Sequence, residues 1–169
     1  MSATRNDLFG QAVSLSASGD MEAWNAMQLG FLAHSAATPE SLTKVIESDA
    51  DFAMPLICKG LFTLLLGRRE LYDIAATCEQ DARVAIARRP VTSREMGFLT
   101  ELTDYRAGIP RRAADALDQS LMHHRNDMLA MKLVQAIRFV LGDATGMRAS
   151  IELCLPHFDK SGPAFGYAL

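Results

Sequence analysis

Histidine is the side chain best placed to do proton chemistry near neutral pH, and this sequence has four of them. His34 falls near the end of an expected helix. No Ser, Cys or Asp accompanies it at a recognisable catalytic spacing, so it reads as a helix-end group rather than a general base. His123 and His124 are adjacent and are followed by Arg125. Neighbouring residues do not share a helix face, so the two imidazoles are poorly arranged to chelate one ion. They read instead as groups complementing the negative end of a helix.

Arginine supplies the next candidates. Arg68-Arg69, Arg88-Arg89 and Arg111-Arg112 are basic pairs at helix ends or starts. In a stacked array such turns line up along one edge and would make a ridge for an acidic peptide or a phosphate. Acids such as Glu70 and Asp115 interleave, which favours ordinary solvated helix ends. A second polar group, Arg94, Glu101, Asp104, Gln135 and Arg138, is expected on helices of the last two repeat units. These five are the candidate partner-binding residues on a concave face. The structural alternative is an ion pair, Glu101 with Arg138 or Asp104 with Arg138, between neighbouring helices.

The remaining candidates are quieter. Cys58, Cys78 and Cys154 are odd in number, far apart and without a CxxC spacing, which argues against a disulfide framework or a zinc site. Cys78 lies beside Glu79 and Asp81, with no basic neighbour to lower its pKa. The nine methionines read as core filler, although Met-rich grooves also take varied apolar helices. There is no phosphate loop, dinucleotide fingerprint, nucleophile elbow or HExxH. No catalytic residue, metal or cofactor is expected.

These side chains must be carried by helices. Hydrophobic residues make up 49% of the 169 and aromatics only 7%, with Ala, Leu and Met abundant. Sustained period-two alternation is absent, whereas Ala113, Leu117 and Leu121 share one helical face, as do Val134, Ile137 and Leu141. Asp20, Thr38-Pro39-Glu40, Asp51, Thr92-Ser93-Arg94-Glu95, Pro110, Asn126 or Asp127, and Asp143 offer helix starts. They predict helices over 21–35, 39–49, 51–67, about 70–89, 93–108, 110–124, 127–142 and 143–156.

The glycines then reveal a repeat. Gly67, Gly108 and Gly142 each close one helix and precede another, and the last two are 34 positions apart, the period of a tetratricopeptide unit. A hairpin of two short helices cannot bury its apolar face alone, so units stack. The fold expected is all-α: an α–α superhelix, a TPR-like solenoid of about four helical hairpins over 20–158. It is preceded by an N-terminal segment (1–19) and followed by an apolar C-terminal segment (159–169).

Scattered residues agree with a known family. Ser48-Asp49-Ala50-Asp51-Phe52-Ala53, Gly60-Leu61, Leu64-Leu65-Leu66-Gly67-Arg68, Arg94-Glu95, the block from Asp127 to Lys132, Phe139 to Gly142, Met147 to Ser150 and Gly166-Tyr167 resemble the tetratricopeptide repeat protein 38 family. The resemblance runs over roughly 24–167 and implies the helical-repeat fold. It departs at Gln135 and near Phe98, where the family commonly carries His, and the family continues past this chain into further repeats. Any task those histidines share is therefore not carried over.

The net charge of −3 disfavours general nucleic-acid binding, which depends on phosphate neutralisation by Lys and Arg. The first 19 residues lack the basic and apolar regions of a secretory signal, and the apolar run over 52–66 is too short to span a bilayer. A cytoplasmic protein without nucleic-acid or membrane partners is expected. Its function is expected to be non-catalytic capture of a protein or peptide partner. Homo-oligomerisation through 159–169 is a companion expectation, unless the chain is a fragment of a longer protein. The alternative is an enzyme or small-ligand receptor whose pocket lies inside the array, with His34, Glu95 or Arg138 at its floor.

Overall fold

The computed structural model describes residues 4–168. A two-stranded antiparallel hairpin, β1 (Arg5–Asn6) with β2 (Ala12–Val13), opens the chain. Helices follow: α1 (Met21–Leu32), α2 (Thr38–Ser48), α3 (Ala53–Leu65), α4 (Tyr72–Arg88), α5 (Ser93–Arg106), α6 (Pro110–His123), α7 (Met128–Val140), α8 (Ala144–Cys154) and α9 (Pro163–Ala168). The described chain is thus mostly helical.

Most helix starts are written locally. Asp20, Asp127 and Asp143 accept the backbone N–H of Ala23, Ala130 and Gly146, three residues on. Thr92 and Glu95 form a reciprocal capping box at α5. Two starts differ from expectation. Thr38 sits inside α2, because Ala37 holds the cap position and Pro39 occupies the first turn. Asp51 caps nothing; α3 begins after Phe52, and Asp51 pairs with Arg88 instead.

The first helix of each hairpin ends at a left-handed residue. Gly108 and Gly142 adopt φ of 81° and 68°, and each turn closes with the same pair of backbone bonds: Gly108 N–H to Tyr105 and Ile109 N–H to Asp104, Gly142 N–H to Phe139 and Asp143 N–H to Arg138. Gly67 is also left-handed, at 65°. The first hairpin closes identically, His34 N–H to Phe31 and Ser35 N–H to Gly30. There the left-handed residue is His34, at φ 54°.

Consecutive helices pack as hairpins, α1 on α2, α3 on α4, α5 on α6 and α7 on α8, and neighbouring hairpins stack through α3–α5, α4–α5, α6–α7 and α6–α8. α7 also meets α1 and α3, so the last hairpin returns to the first. This explains why α7 is buried almost all round, from Met128 to Ile137, whereas α6 buries only the face of Ala113, Ala114, Leu117 and Leu121. One continuous core results, with Trp24 edge-on to Phe52 at 5.2 Å between ring centroids. The N-terminal segment belongs to it: Val13 and Leu15 are fully buried, and Ser14 bonds Glu95 through both its N–H and its hydroxyl.

Candidate functional site

The return of α7 towards α1 leaves a groove of about 910 Å³ between the first and last hairpins. Its wall is mostly apolar. Phe31 of α1 and Phe62 of α3 stack face to face at 4.2 Å, and Leu42 of α2 and Met147 of α8 also line it. Leu66 and Phe139 stand at the rim, 65% and 74% exposed.

The groove's charged groups are few and of one sign. Lys59 and Lys132 line it and no Asp or Glu does, among the described residues. His34 sits at the mouth, where its Nε2 lies 3.0 Å from Lys132 Nζ. Burial lowers the Lys132 pKa. Gln135 also lines the groove, but its amide donates to the Met147 carbonyl at 2.8 Å and ties α7 to α8.

The structure does not bring the sequence-predicted polar residues together on an open face. Only Gln135 reaches the groove. The Arg94 side chain is buried and donates two hydrogen bonds to Asp127, at 2.5 and 2.9 Å. Burial opposes its charge, but Asp127 more than offsets this and its pKa lies above the ordinary value. Its guanidinium also lies over the Phe98 ring at 4.9 Å. Glu101 is buried close by, with Oε2 unpartnered among the described residues. Burial, reinforced by Asp127, pushes its pKa up to about 8. Asp104 is taken by Arg112, eight residues on.

The expected ion pairs of Arg138 with Glu101 or Asp104 do not form. Arg138 bonds Asp143, Asp118 and Asp115 instead. Its side chain emerges between α6 and the start of α8, where those three acids lie. It also braces the N-cap of α8, because Asp143 receives the Gly146 N–H as well. Glu95 is fully buried, accepting from the Thr92 N–H in the α5 capping box and from Ser14. Of His34, Glu95 and Arg138, only His34 lines the groove.

The arginine pairs are largely spent inside the chain. Arg88 and Arg89 pair with Asp51 and Asp49, and Arg111 and Arg112 with Asp143 and Asp104. Arg125 lies 3.1 Å from His157 beside a smaller hollow of about 360 Å³, which His123 also lines. All three cysteines are buried as free thiols, and burial pushes Cys58 up to about 12 and Cys154 up to about 11. Thiols so raised stay protonated and poorly nucleophilic at neutral pH. No group of three His, Cys, Asp or Glu with metal-binding geometry occurs among the described residues. The C-terminal segment forms α9, from which Phe165 packs on the core while Tyr167 is 38% exposed; Leu169 lies outside the described residues.

Lys59, Lys132 and the two phenylalanines of the groove were not legible as a site in the sequence, because they converge from three hairpins. One signal was present: a histidine closes the first hairpin where glycine closes the others.

The class this architecture defines is an all-α array of stacked helical hairpins with an apolar groove between its first and last hairpins. No family model and no solved structure matches the chain. Among the described residues, no helix is long and apolar enough to cross a membrane.

Proposed function

We propose that the chain is a non-catalytic, TPR-like interaction module of α–α superhelical type that holds a segment of a protein partner in the groove. The carrying observation is the groove itself: an apolar trough whose rim residues, Leu66 and Phe139, stay largely exposed. Exposed apolar rims beside a concave wall are the surfaces that partner segments cover. Affinity would come from a few apolar anchors seated between Phe31, Leu42 and Met147, with the rim excluding water. On this reading the resemblance to the tetratricopeptide repeat protein 38 family reflects shared helical-repeat architecture. The buried free cysteines accord with a reducing compartment such as the cytoplasm.

A display library of amphipathic helical peptides selected against the whole chain tests the proposal. Phe139→Glu, at an exposed position, leaves the fold intact and is expected to abolish binding of the selected peptides. Selection that yields no Phe139-dependent binder would count against it. The second reading is a receptor for a small amphiphile, favoured by the volume of the groove, which lies within the roughly 300–1,000 Å³ typical of ligand pockets. Dodecanoate binding with no peptide binding would decide for it.

A further inference from the structure

We propose that His34 and Lys132 form a carboxylate-binding end to the groove, and that its occupant is an amphipathic helix of a partner protein that brings an Asp or Glu carboxylate within hydrogen-bond reach of both. The proposal rests on the groove being a partner site, as inferred above, and adds what the partner must carry.

The first observation is conformational. The four hairpins turn through a left-handed residue at His34, Gly67, Gly108 and Gly142. At His34, Gly108 and Gly142 the same two backbone hydrogen bonds close the turn. Glycine takes this conformation freely, whereas any residue with a Cβ takes it at a cost. The chain tolerates that cost at one turn of four, and at that turn the side chain reaches the mouth of the groove. Folding alone would be served as well or better by glycine there.

The second observation is convergence. His34 ends α1 and Lys132 lies on α7, yet their nitrogens are 3.0 Å apart. Neither forms an ion pair with a carboxylate among the described residues, whereas Arg83, Arg94, Arg112 and Arg138 all do. Lys132 is partly buried in the groove wall and burial lowers its pKa, so a carboxylate partner gains more there than beside a fully solvated ammonium.

The third observation is the sign of the groove. Lys59 adds a second ammonium, and no acid lines the wall among the described residues. An occupant must therefore be apolar along the Phe31–Phe62 stack and anionic at the His34–Lys132 end. The exposed rim at Leu66 and Phe139 calls for an occupant broad enough to cover it, which an amphipathic helix is and a single alkyl chain is not.

The test uses the full chain and a display library of helical peptides with a fixed apolar stripe and randomised flanks. Binders blocked by Phe139→Glu are expected to share an Asp or Glu at one position flanking the stripe. Replacing it by Asn or Gln should weaken binding about tenfold, in keeping with a charge-assisted hydrogen bond. His34→Gly and Lys132→Gln should each weaken the acidic peptide similarly and leave the amide peptide unaffected. His34→Gly should melt no lower than the parent, which separates loss of the site from loss of fold. Groove binders with no acid preference, or an acid preference indifferent to both variants, would overturn this inference and leave the proposed function standing. Absence of any groove-dependent peptide would overturn the proposed function itself. Dodecanoate binding that depends on His34 and Lys132, with no peptide binding, would overturn the helix as occupant.

Discussion

Arg94 of α5 and Asp127, the N-cap of α7, face each other through two hydrogen bonds of 2.5 and 2.9 Å, both side chains nearly inaccessible to water. Asp127 does two jobs at once: Oδ1 also receives the Ala130 N–H that starts α7. The pair thus joins the third hairpin to the beginning of the helix that lines the groove.

Breaking this pair should be costly because the survivor stays buried and uncompensated. Asp127→Ala removes a cap and strands the Arg94 guanidinium, and we expect a loss of about 3–5 kcal/mol in urea unfolding. Asp127→Asn keeps a capping oxygen and should lose less. The double variant Arg94→Met with Asp127→Asn should recover part of the loss, since no unpaired charge remains. Equal losses for Asp127→Ala and the double variant would contradict the account.

Glu101 predicts a pH dependence of definite sign. Its folded pKa is raised to about 8 from the ordinary 4.5, chiefly by burial. The folded state therefore holds a proton that the unfolded state releases above about pH 4.5. Its contribution to stability is full below that value and declines as pH rises towards 8. Glu101→Gln cannot ionise, so its stability advantage over the parent should grow between pH 5 and 8, to the order of a few kcal/mol. Denaturant midpoints measured across that range check this; parallel profiles for parent and variant would refute it.

Backbone conformation makes opposite predictions at equivalent turns. A Cβ added at Gly108 meets nothing within 4 Å, so the cost of Gly108→Ala is conformational alone. It should amount to about 1–2 kcal/mol. His34→Gly, at φ 54°, should be neutral or stabilising. Melting curves of the two variants, taken in parallel, give the comparison.

A different glycine is needed for packing. A Cβ on Gly60 of α3 would lie 2.9 Å from both Leu102 methyls and 3.3 Å from the Cys78 Cβ, at the junction of α3, α4 and α5. The Leu102 methyls can give way, but the Cys78 Cβ is held by the α4 backbone. Gly60→Ala should cost about 1–3 kcal/mol through overpacking, and Gly60→Val more. Thermal unfolding of both would show it, with a stabilised Gly60→Ala as the contrary result.

The sequence by itself determined the helices and most of their ends. Asp20, Thr92 with Glu95, Asp127 and Asp143 cap where their types and neighbours say they should, because a cap is satisfied within three residues. Gly67, Gly108 and Gly142 mark left-handed turns for the same local reason. The N-terminal β-hairpin leaves no mark in the sequence, since its strands are two residues each, too short for an alternating pattern to register.

Only the tertiary structure decided where the charges went and where the groove lies. Glu101, Asp104 and Arg138 look alike in sequence, as polar residues spaced along helices. Yet Glu101 is buried with Oε2 unpartnered among the described residues, Asp104 holds Arg112, and Arg138 holds three aspartates drawn from α6 and the α8 cap. Those outcomes depend on which helix face meets which neighbour. The groove depends on still longer range: α7 returning to α1 and α3 brings Lys132 to His34 across 98 positions of chain. Burial and pairing are properties of the packed whole, and side-chain type fixes them only once the neighbours are in place.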